Sequence, residues 1–289
     1  MDGNIERGEN MLDASDRVRL FNQFWKPQNP KAVLLIVHGL KDHSSRYASL
    51  GEQLVSHGYA VYALDLRGHG KSEGERAFVG SFDDYLRDLD LFYDKVRRAE
   101  PGKPVFLFGH SMGGAIALLF ALGRNPEIRG LVLSAPALKI PSDVSPLLVW
   151  FTKRLGGIAP KRSVFKLENK LFTRDLEALA AMNSDPLIYN KPHPARTATE
   201  LLRAIDRIQK TMSSLMIPIM LMHGTADKIT NPDGSRQLDE AALSTDKTLK
   251  LYQGHYHDLL HDLENSDVAN DLLQWLDGHS DASGRTSKQ

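Results

Sequence analysis

The stretch that most limits what this chain can fold into is a serine among glycines, Gly109-His110-Ser111-Met112-Gly113-Gly114. An apolar run at residues 105–108 precedes it, and a small-residue run compatible with a helix follows at 115–122. This pattern predicts a strand, a tight turn that carries Ser111, and then a helix. Taken alone, the G-x-S-x-G spacing also fits a glycine-rich turn with an incidental serine. The predicted strand and helix favour a nucleophile, because they are the context that the motif requires.

The tight turn explains why glycines occur in this stretch. A nucleophile on a sharp strand-to-helix turn lies in strained backbone, and Gly109 and Gly113 lack the Cβ atoms that would clash there. The turn lifts the Ser111 hydroxyl away from the sheet. It also puts the N–H of Met112 at the start of the helix, where it can donate a hydrogen bond to a developing oxyanion.

A second oxyanion donor is expected from His38-Gly39-Leu40, which directly follows the apolar run at residues 33–37. The N–H of Leu40 would donate from the loop opposite Met112. The same tripeptide also fits a simple turn at a strand end. We interpret it as a donor because Ser111 supplies the chemistry that needs one.

Strands and helices alternate over most of the chain. Predicted strands are short apolar runs at residues 33–37, 60–64, 105–108, 130–134, 218–222 and 248–252, after an antiparallel hairpin within 11–25 whose turn is at 13–16. Predicted helices cover about residues 47–57, 81–99 and 265–275. Ser81 suits an N-cap, because Asp83 and Asp84 fall in the first turn that follows it. This alternation predicts an α/β fold with a mainly parallel central sheet flanked by helices.

The alternation stops between Lys139 and Met212, where no clear buried strand is predicted and helix-like pieces occur at residues 146–155, 174–182 and 194–213. We interpret residues 139–212 as a helical cap, inserted after the sixth strand and lying over the carboxyl edge of the sheet. Residues 1–138 and 213–278 would then form the core, and the polar residues 279–289 a disordered tail.

Ser111 needs a base to accept its proton and a carboxylate to orient that base. Asp227 follows the predicted strand at residues 218–222, and His257 follows the next strand. Serine, aspartate, histidine is the chain order expected when these groups lie on successive strand-end loops of an α/β sheet. We therefore predict a catalytic triad. His255 competes with His257 as the base but is expected closer to solvent, and His261 would either line the pocket or cap a short helix.

Composition excludes several classes of protein. Lysine plus arginine equals aspartate plus glutamate, at 36 each, so no nucleic-acid partner is indicated. The absence of cysteine removes disulfides and thiolate metal sites. The first ten residues are too polar for a secretory signal, and no apolar run approaches the length of a membrane span. We expect a cytoplasmic protein, with a peripheral location at the membrane as the alternative.

Two stretches look like cofactor or metal sites but do not fit their motifs. Gly68-His69-Gly70-Lys71-Ser72 ends like a phosphate-binding P-loop, but Asp65 stands where that motif has its first glycine. A histidine and aspartate group near the C-terminus would bind one ion only with a particular loop shape, and one member is the predicted base. Its members are His255, His257, Asp258, His261 and Asp262. No cofactor and no metal are therefore predicted.

Residues 147–151, Leu-Leu-Val-Trp-Phe, form the most apolar run of the predicted cap. Such a run is most often the packed inner face of a helix. It also suits transient contact with a membrane surface. The sequence leaves these two alternatives open.

These motifs together resemble the monoacylglycerol lipase-like branch of the α/β-hydrolase superfamily, also grouped as serine aminopeptidase S33 or lysophospholipase-like hydrolases. The resemblance extends from about Leu12 to Leu276. It rests on the serine stretch, on Tyr256-His257 and on three longer motifs. Those motifs are His38-Gly39-x-x-Asp42-His43-Ser44-x-Arg46-Tyr47, Asp65-x-Arg67-Gly68-His69-Gly70-x-Ser72-x-Gly74 and His223-Gly224-x-x-Asp227.

The resemblance implies the α/β-hydrolase fold and the roles of its site residues. Ser111 would be the nucleophile, Asp227 the orienting acid and His257 the base, with the N–H groups of Leu40 and Met112 as oxyanion donors. Substrate contacts are expected from His38, Gly39, Asp42, Arg46 and His110. Asp42 and Arg46 hold the positions that in the family lie near the glycerol end of the pocket, although the mammalian enzymes have glutamate in place of Asp42.

The function that this resemblance implies is a serine carboxylic-ester hydrolase, in the first place a monoacylglycerol lipase that works through an acyl-enzyme on Ser111. Its partner would be a small lipid ester. The alternatives are a lysophospholipase or a serine aminopeptidase on the same triad, and a non-catalytic ligand-binding protein that keeps the fold. An aminopeptidase must bind a free ammonium group, and the acidic cap residues available for that are interleaved with basic ones.

Overall fold

The structure, a computed structural model, describes residues 5–140 and 145–280. Eight strands form the central sheet, in the spatial order β1-β2-β4-β3-β5-β6-β9-β10. Their bounds are β1 Glu6–Asp13, β2 Arg19–Lys26, β3 Ala32–Val37, β4 Tyr59–Leu64, β5 Val105–His110, β6 Gly130–Ser134, β9 Ile219–Gly224 and β10 Lys247–Tyr252. Two further strands, β7 Ser163–Phe165 and β8 His193–Pro194, form a separate antiparallel pair.

The sheet is parallel from β4 to β10, and only β1 and β2 run antiparallel to their neighbours. The predicted mainly parallel sheet is therefore confirmed. The N-terminal hairpin is confirmed too, with its turn closed by a hydrogen bond from Ala14 N to Val18 O. Every residue of β3, β4, β5 and β6 is buried, as expected of strands that are covered on both faces.

Helices cover both faces of the sheet and bury two apolar clusters against it. Their bounds are α1 Ala48–Ser56, α2 Phe82–Ala99, α3 Met112–Arg124, α4 Pro146–Ile158, α5 Leu176–Ser184, α6 Ala195–Thr211, α7 Pro232–Ala241 and α8 Asn265–Ser280. The predicted start of α2 is confirmed in detail. The Ser81 side chain accepts a hydrogen bond from Asp83 N, and the Asp84 carboxylate accepts one from Ser81 N.

The segment between β6 and β9 is mostly helical, as predicted, but it also contains a short pair of strands that was not predicted. Ser163 of β7 is exposed and the rest of β7 is half-buried, while both residues of β8 are buried. The two strands pair with each other and are too short to give a periodic signal in the sequence. α6 joins this segment to the rest of the molecule. The Thr197 hydroxyl donates to Ala77 O, and the Glu200 carboxylate accepts from Phe82 N at the start of α2.

The last helix is longer than predicted. α8 continues through His279 and Ser280, where disorder was expected, because the His279 ring stacks on Trp275 at 4.1 Å between centroids and the His279 carbonyl accepts from Arg129 Nε. The rest of the predicted tail, residues 281–289, lies outside the described residues. Within the two described ranges, no helix is both long and apolar enough to cross a membrane.

Candidate active site

The predicted strand, turn and helix around Ser111 are confirmed. β5 ends at His110, Ser111 is the N-cap of α3, and its backbone has φ 55° and ψ −121°, a region that side chains rarely adopt. Close packing explains the two glycines. A Cβ on Gly109 would lie 2.5 Å from the carbonyl oxygen of Gly113, and one on Gly113 would overlap the carbonyl oxygens of Val37 and His38. The serine therefore lies where α3 and the end of β3 approach most closely.

The two residues predicted to supply the oxyanion donors, Leu40 and Met112, line the same cavity as Ser111. Neither backbone N–H donates a hydrogen bond to another group in the described part of the chain. Gly39 allows the approach of the Leu40 loop, because a Cβ there would lie 3.0 Å from the Ser111 Cβ. Two N–H groups beside a serine hydroxyl can stabilise an oxyanion that forms on an acyl carbon.

Asp227 and His257 meet at the carboxyl ends of β9 and β10. The His257 Nδ1 lies 2.7 Å from the Asp227 Oδ2, and both side chains are buried. The other Asp227 oxygen accepts hydrogen bonds from Ile229 N at 2.7 Å and Thr230 N at 3.1 Å. Burial opposes ionisation of this carboxyl group, but the neighbouring His257 and His223 imidazoles outweigh it and hold the pKa of Asp227 far below its usual range. The ionised carboxylate fixes the Nδ1–H tautomer of His257.

The His257 imidazole has its second nitrogen free to accept a proton. Its Nε2 is buried and has no hydrogen-bond partner among the described residues. The His110 ring packs against it at 4.8 Å between centroids, and the Phe172 ring contacts it edge-on at 5.3 Å. Burial and the neighbouring His257 lower the pKa of His110 to about 4, so His110 is neutral at pH 7 and adds no charge beside the base.

Sequence reasoning missed two side chains that hold Asp227. The Thr230 hydroxyl lies 2.7 Å from Asp227 Oδ2 and 3.2 Å from His257 Nδ1. His223 Nε2 lies 3.2 Å from the same carboxylate oxygen, and its Nδ1 lies 2.8 Å from the Ser235 hydroxyl. An aspartate in a turn is expected to accept a hydrogen bond from the backbone two residues on, as Asp227 does from Ile229 N, but no local pattern indicated the Thr230 hydroxyl. His223 was noted only as part of a motif.

The structure separates the three candidate histidines of the last loop. His255, expected closer to solvent than His257, is 6% exposed against 0% for His257, so both are buried and the difference is small. His261 ends a single turn of 3-10 helix, Leu259–His261, and does not line the cavity at Ser111. Of these three histidines, His257 is the one that bonds to Asp227. Among the residues described, no three His, Asp or Glu side chains come together in a way that suits a metal ion.

The five residues expected to contact substrate all have partners within the protein, and their contact with a substrate stays a prediction. His38 Nδ1 lies 2.7 Å from Gly39 O, and its Nε2 accepts from Leu66 N at 2.9 Å. Gly39 packs against Ser111, and His110 Nδ1 lies 3.2 Å from Ser134 O. Asp42 and Arg46 form an ion pair at 3.1 Å. None of the five is among the described residues that line the cavity at Ser111.

Arg46 belongs to a buried charge network that the sequence did not reveal. Its second guanidinium nitrogen lies 2.6 Å from Asp258 Oδ2, and the Tyr47 hydroxyl donates to Asp42 Oδ2 at 3.2 Å. His261 Nδ1 lies 2.9 Å from Asp258 Oδ1. The network joins the loop after β3 to the loop that carries the predicted base. Asp258 gave no separate signal, because it was considered only as a metal ligand.

A cavity of about 320 Å³ opens on Ser111. Its walls are mainly aliphatic. They are formed by the segment between β6 and β9 together with loops at the edge of the central sheet. No aspartate or glutamate is among the described residues that form them. They are Leu40, Ser111, Met112, Ala137, Lys139, Ile140, Leu148, Val149, Thr152, Val164, Phe165, Leu167, Ala198, Leu201, Leu202, Ile205, Ile229 and Thr230. Such a cavity fits a hydrocarbon chain beside the serine.

A mostly parallel sheet with a serine turn after β5, an aspartate after β9 and a histidine after β10 defines an α/β-hydrolase. Comparison with known proteins identifies the branch. The chain belongs to the hydrolase family described as serine aminopeptidase, S33, whose model matches residues 28–264.

The proteins to which this chain is similar include lipases. Human monoglyceride lipase is 36% identical over 278 residues, which cover 94% of this chain and 91% of that one. Monoacylglycerol lipase of Mycolicibacterium smegmatis is 32% identical, over 94% of this chain and 98% of that one. The crystal structure of Paleococcus ferrophilus monoacylglycerol lipase superposes with a TM-score of 0.82 at 33% identity, covering 90% of this chain and 99% of that one. The chain is a hydrolase of the carboxylic-ester class.

Proposed function

We propose that this chain is a monoacylglycerol lipase in which Ser111, His257 and Asp227 form the catalytic triad. The observation that carries the proposal is the mainly aliphatic cavity that opens on Ser111 and is also lined by Leu40 and Met112. A cavity of this kind receives an acyl chain and presents its ester carbonyl to the serine.

The reaction has two halves. The Ser111 hydroxyl oxygen attacks the ester carbonyl while His257 Nε2 takes its proton, and the oxyanion accepts hydrogen bonds from the two N–H groups. The tetrahedral intermediate collapses, the bond to the glycerol oxygen breaks, and His257 returns the proton to that oxygen. A water molecule then attacks the acyl-enzyme with His257 as the base, which releases the fatty acid and restores Ser111.

We propose that residues 139–212 are the cap of this enzyme, over a core of 1–138 and 213–278. The described part of this segment supports the division, because α4, β7 and α6 supply much of the cavity wall. We also propose that the cap makes transient contact with a membrane surface. The side chains of Leu147, Leu148, Trp150 and Phe151 are 74%, 55%, 55% and 56% exposed, as a lipid-facing helix requires and a packed one does not.

An aminopeptidase is the weaker alternative. A free ammonium group needs a carboxylate near the nucleophile. Of the acidic cap residues, Asp185 bonds to His43, Asp175 caps α5 and Glu168 pairs with Lys170. The aliphatic wall favours an acyl chain.

The test is hydrolysis of a chain-length series of monoacylglycerols beside diacylglycerol, lysophospholipid and aminoacyl-arylamides. The wild type is expected to prefer monoacylglycerols. Ser111→Ala is expected to lower kcat by about 10⁴-fold or more, the loss typical of a missing nucleophile. Ser56→Ala, an exposed serine in α1, is the matched control and is expected to keep wild-type kcat. Arylamide turnover without glyceride turnover would establish the aminopeptidase instead. Activity that survives Ser111→Ala would refute the catalytic proposal.

A further inference from the structure

Lys41, which directly follows the proposed oxyanion donor Leu40, lies in an unfavourable position for a lysine. Its backbone has φ 62°, in the left-handed region that side chains rarely adopt. The residue is also 1% exposed, so its ammonium group is removed from water. Each condition costs free energy, and both persist only where the surroundings compensate for them.

Residues of the proposed cap supply the contacts that offset these two costs. The Lys41 ammonium donates to Leu167 O at 3.2 Å, to Asn190 Oδ1 at 3.0 Å and to Asn169 Oδ1. Three N–H donors therefore meet three acceptors, all of them neutral. The ammonium also lies 5.5 Å from the centre of the Phe172 ring, within reach of a cation–π attraction.

The main chain of Lys41 is held by the cap as well. Its carbonyl oxygen accepts a hydrogen bond from Tyr189 N at 3.2 Å. Phe172, which contacts the ammonium, also contacts the His257 ring at 5.3 Å. One lysine thus links two separate cap segments to the loop that carries the Leu40 N–H.

We infer that Lys41 is a positioning residue, whose ammonium anchors the Leu40 loop to the cap and so holds the Leu40 N–H beside Ser111. This inference rests on the proposed oxyanion role of Leu40. An N–H that stabilises the oxyanion acts in the transition state, so a loss of its position lowers kcat and leaves KM nearly unchanged. A lysine that only stabilised the fold would not produce this split.

The charge of Lys41 offers a second readout. Burial, Lys166 and Arg46 lower its pKa to about 8, against the opposing effect of Asp42. His193 also faces this ammonium. Deprotonation leaves two N–H donors for three acceptors, so the anchor weakens as the pH rises through about 8.

The test compares Lys41→Met and Lys166→Met at pH 7 with a monoacylglycerol substrate. Lys166 is a neighbouring cap lysine that makes no hydrogen bond to the Leu40 loop in the described structure, so it controls for the loss of one charge. Lys41→Met is expected to lower kcat by about 10-fold or more, with KM within a factor of two, since small displacements of a catalytic group have effects of this size. Lys166→Met is expected to keep wild-type kcat.

The ratio of wild-type to Lys41→Met kcat is expected to fall between pH 7 and pH 9. Lys41→Gly suits the left-handed backbone and removes the anchor, so it tests the inference if Lys41→Met does not fold. Wild-type kcat in the Lys41 variants, a ratio that does not change with pH, or an equal loss in Lys166→Met would each overturn the inference. If Ser111→Ala is inactive while the Lys41 variants match wild type, only this inference fails. An active Ser111→Ala overturns the proposed function and this inference together.

Discussion

Buried charged side chains near the proposed base, His257, are paired with side chains of opposite charge. Asp42 and Asp258 are two carboxylates, and Arg46 lies between them. His261 supplies the second positive charge. Its Nδ1 lies 2.9 Å from an Asp258 oxygen and its Nε2 2.9 Å from Arg46 O. Both partners are acceptors, so both ring nitrogens must carry protons and His261 is an imidazolium.

The stability of the protein is expected to depend on this proton. Burial alone would lower the pKa of His261, but the Asp258 carboxylate outweighs burial and raises it. A raised pKa gives a contribution to stability that is complete below the unfolded pKa of about 6.5 and is lost as the pH rises through the folded pKa. His261→Asn is expected to lower the free energy of unfolding by about 1–2 kcal/mol at pH 6, the size of a hydrogen bond to a charged group. At pH 9 the difference is expected to be smaller.

Urea unfolding of both proteins at pH 6 and pH 9 measures this difference. His57→Asn removes an exposed histidine at the end of α1 and is expected to change stability little at either pH. A destabilisation in His261→Asn that is equal at both pH values would show that His261 is not charged in the folded state.

At the scale of elements, the close packing of α3, which follows β5, against the end of β3 depends on a glycine. Gly113 lies in the first turn of α3, where a side chain would overlap the carbonyl oxygens of Val37 and His38 in β3 and its loop. Gly157 lies in α4 and has no heavy atom within 4 Å of the place of a Cβ. Two helical glycines therefore differ in whether they have a packing role.

Alanine at these two positions is expected to have opposite effects. Gly113→Ala is expected to lower the free energy of unfolding by about 2–4 kcal/mol, because the backbones of α3 and β3 must move apart. Gly157→Ala is expected to raise it by about 0.5–1 kcal/mol, because alanine reduces the entropy lost when the helix forms. Thermal or urea unfolding measures both. Equal effects at the two positions would contradict the packing account.

Most elements follow from local pattern, because a strand covered on both faces is an unbroken apolar run and a capped helix has its polar residues at defined positions. Strands β3, β4, β5, β6 and β9 and the start of α2 were predictable for this reason. The reason does not apply to β1, β2 and β10, which are partly exposed. β7 and β8 were not predictable, because their pairing joins residues 163–165 to 193–194 and depends on the folded insertion.

At the scale of the whole molecule, the exposed apolar residues of α4 give the proposed cap a surface for lipid. Their neighbour Arg154 lies 5.3 Å from the centre of the Trp150 ring. The net charge is zero with histidines neutral, so general attraction to an anionic membrane is weak. We expect binding to be driven by apolar burial and to depend little on salt.

Trp150→Glu is expected to weaken partition to phosphatidylcholine vesicles by about 10-fold or more, the effect of no longer burying one large apolar side chain. Hydrolysis of a short, water-soluble ester is expected to stay at the wild-type rate. Leu243→Glu is the matched control, because Leu243 is 67% exposed and follows α7, outside the proposed cap. Vesicle flotation measures the partition. Equal loss in both variants, or none in Trp150→Glu, would remove α4 from the membrane contact.

The sequence by itself determined the strand–turn–helix at Ser111 and the parallel sheet, and it predicted the order of serine, aspartate and histidine along the chain. These follow from spacing between near neighbours, which is where glycine, capping and hydrophobic periodicity act. Only the tertiary structure decided which histidine bonds to Asp227, which carboxylates hold Arg46 and what forms the cavity wall. Those contacts join residues tens to hundreds of positions apart, such as Arg46 with Asp258, and no local pattern records them.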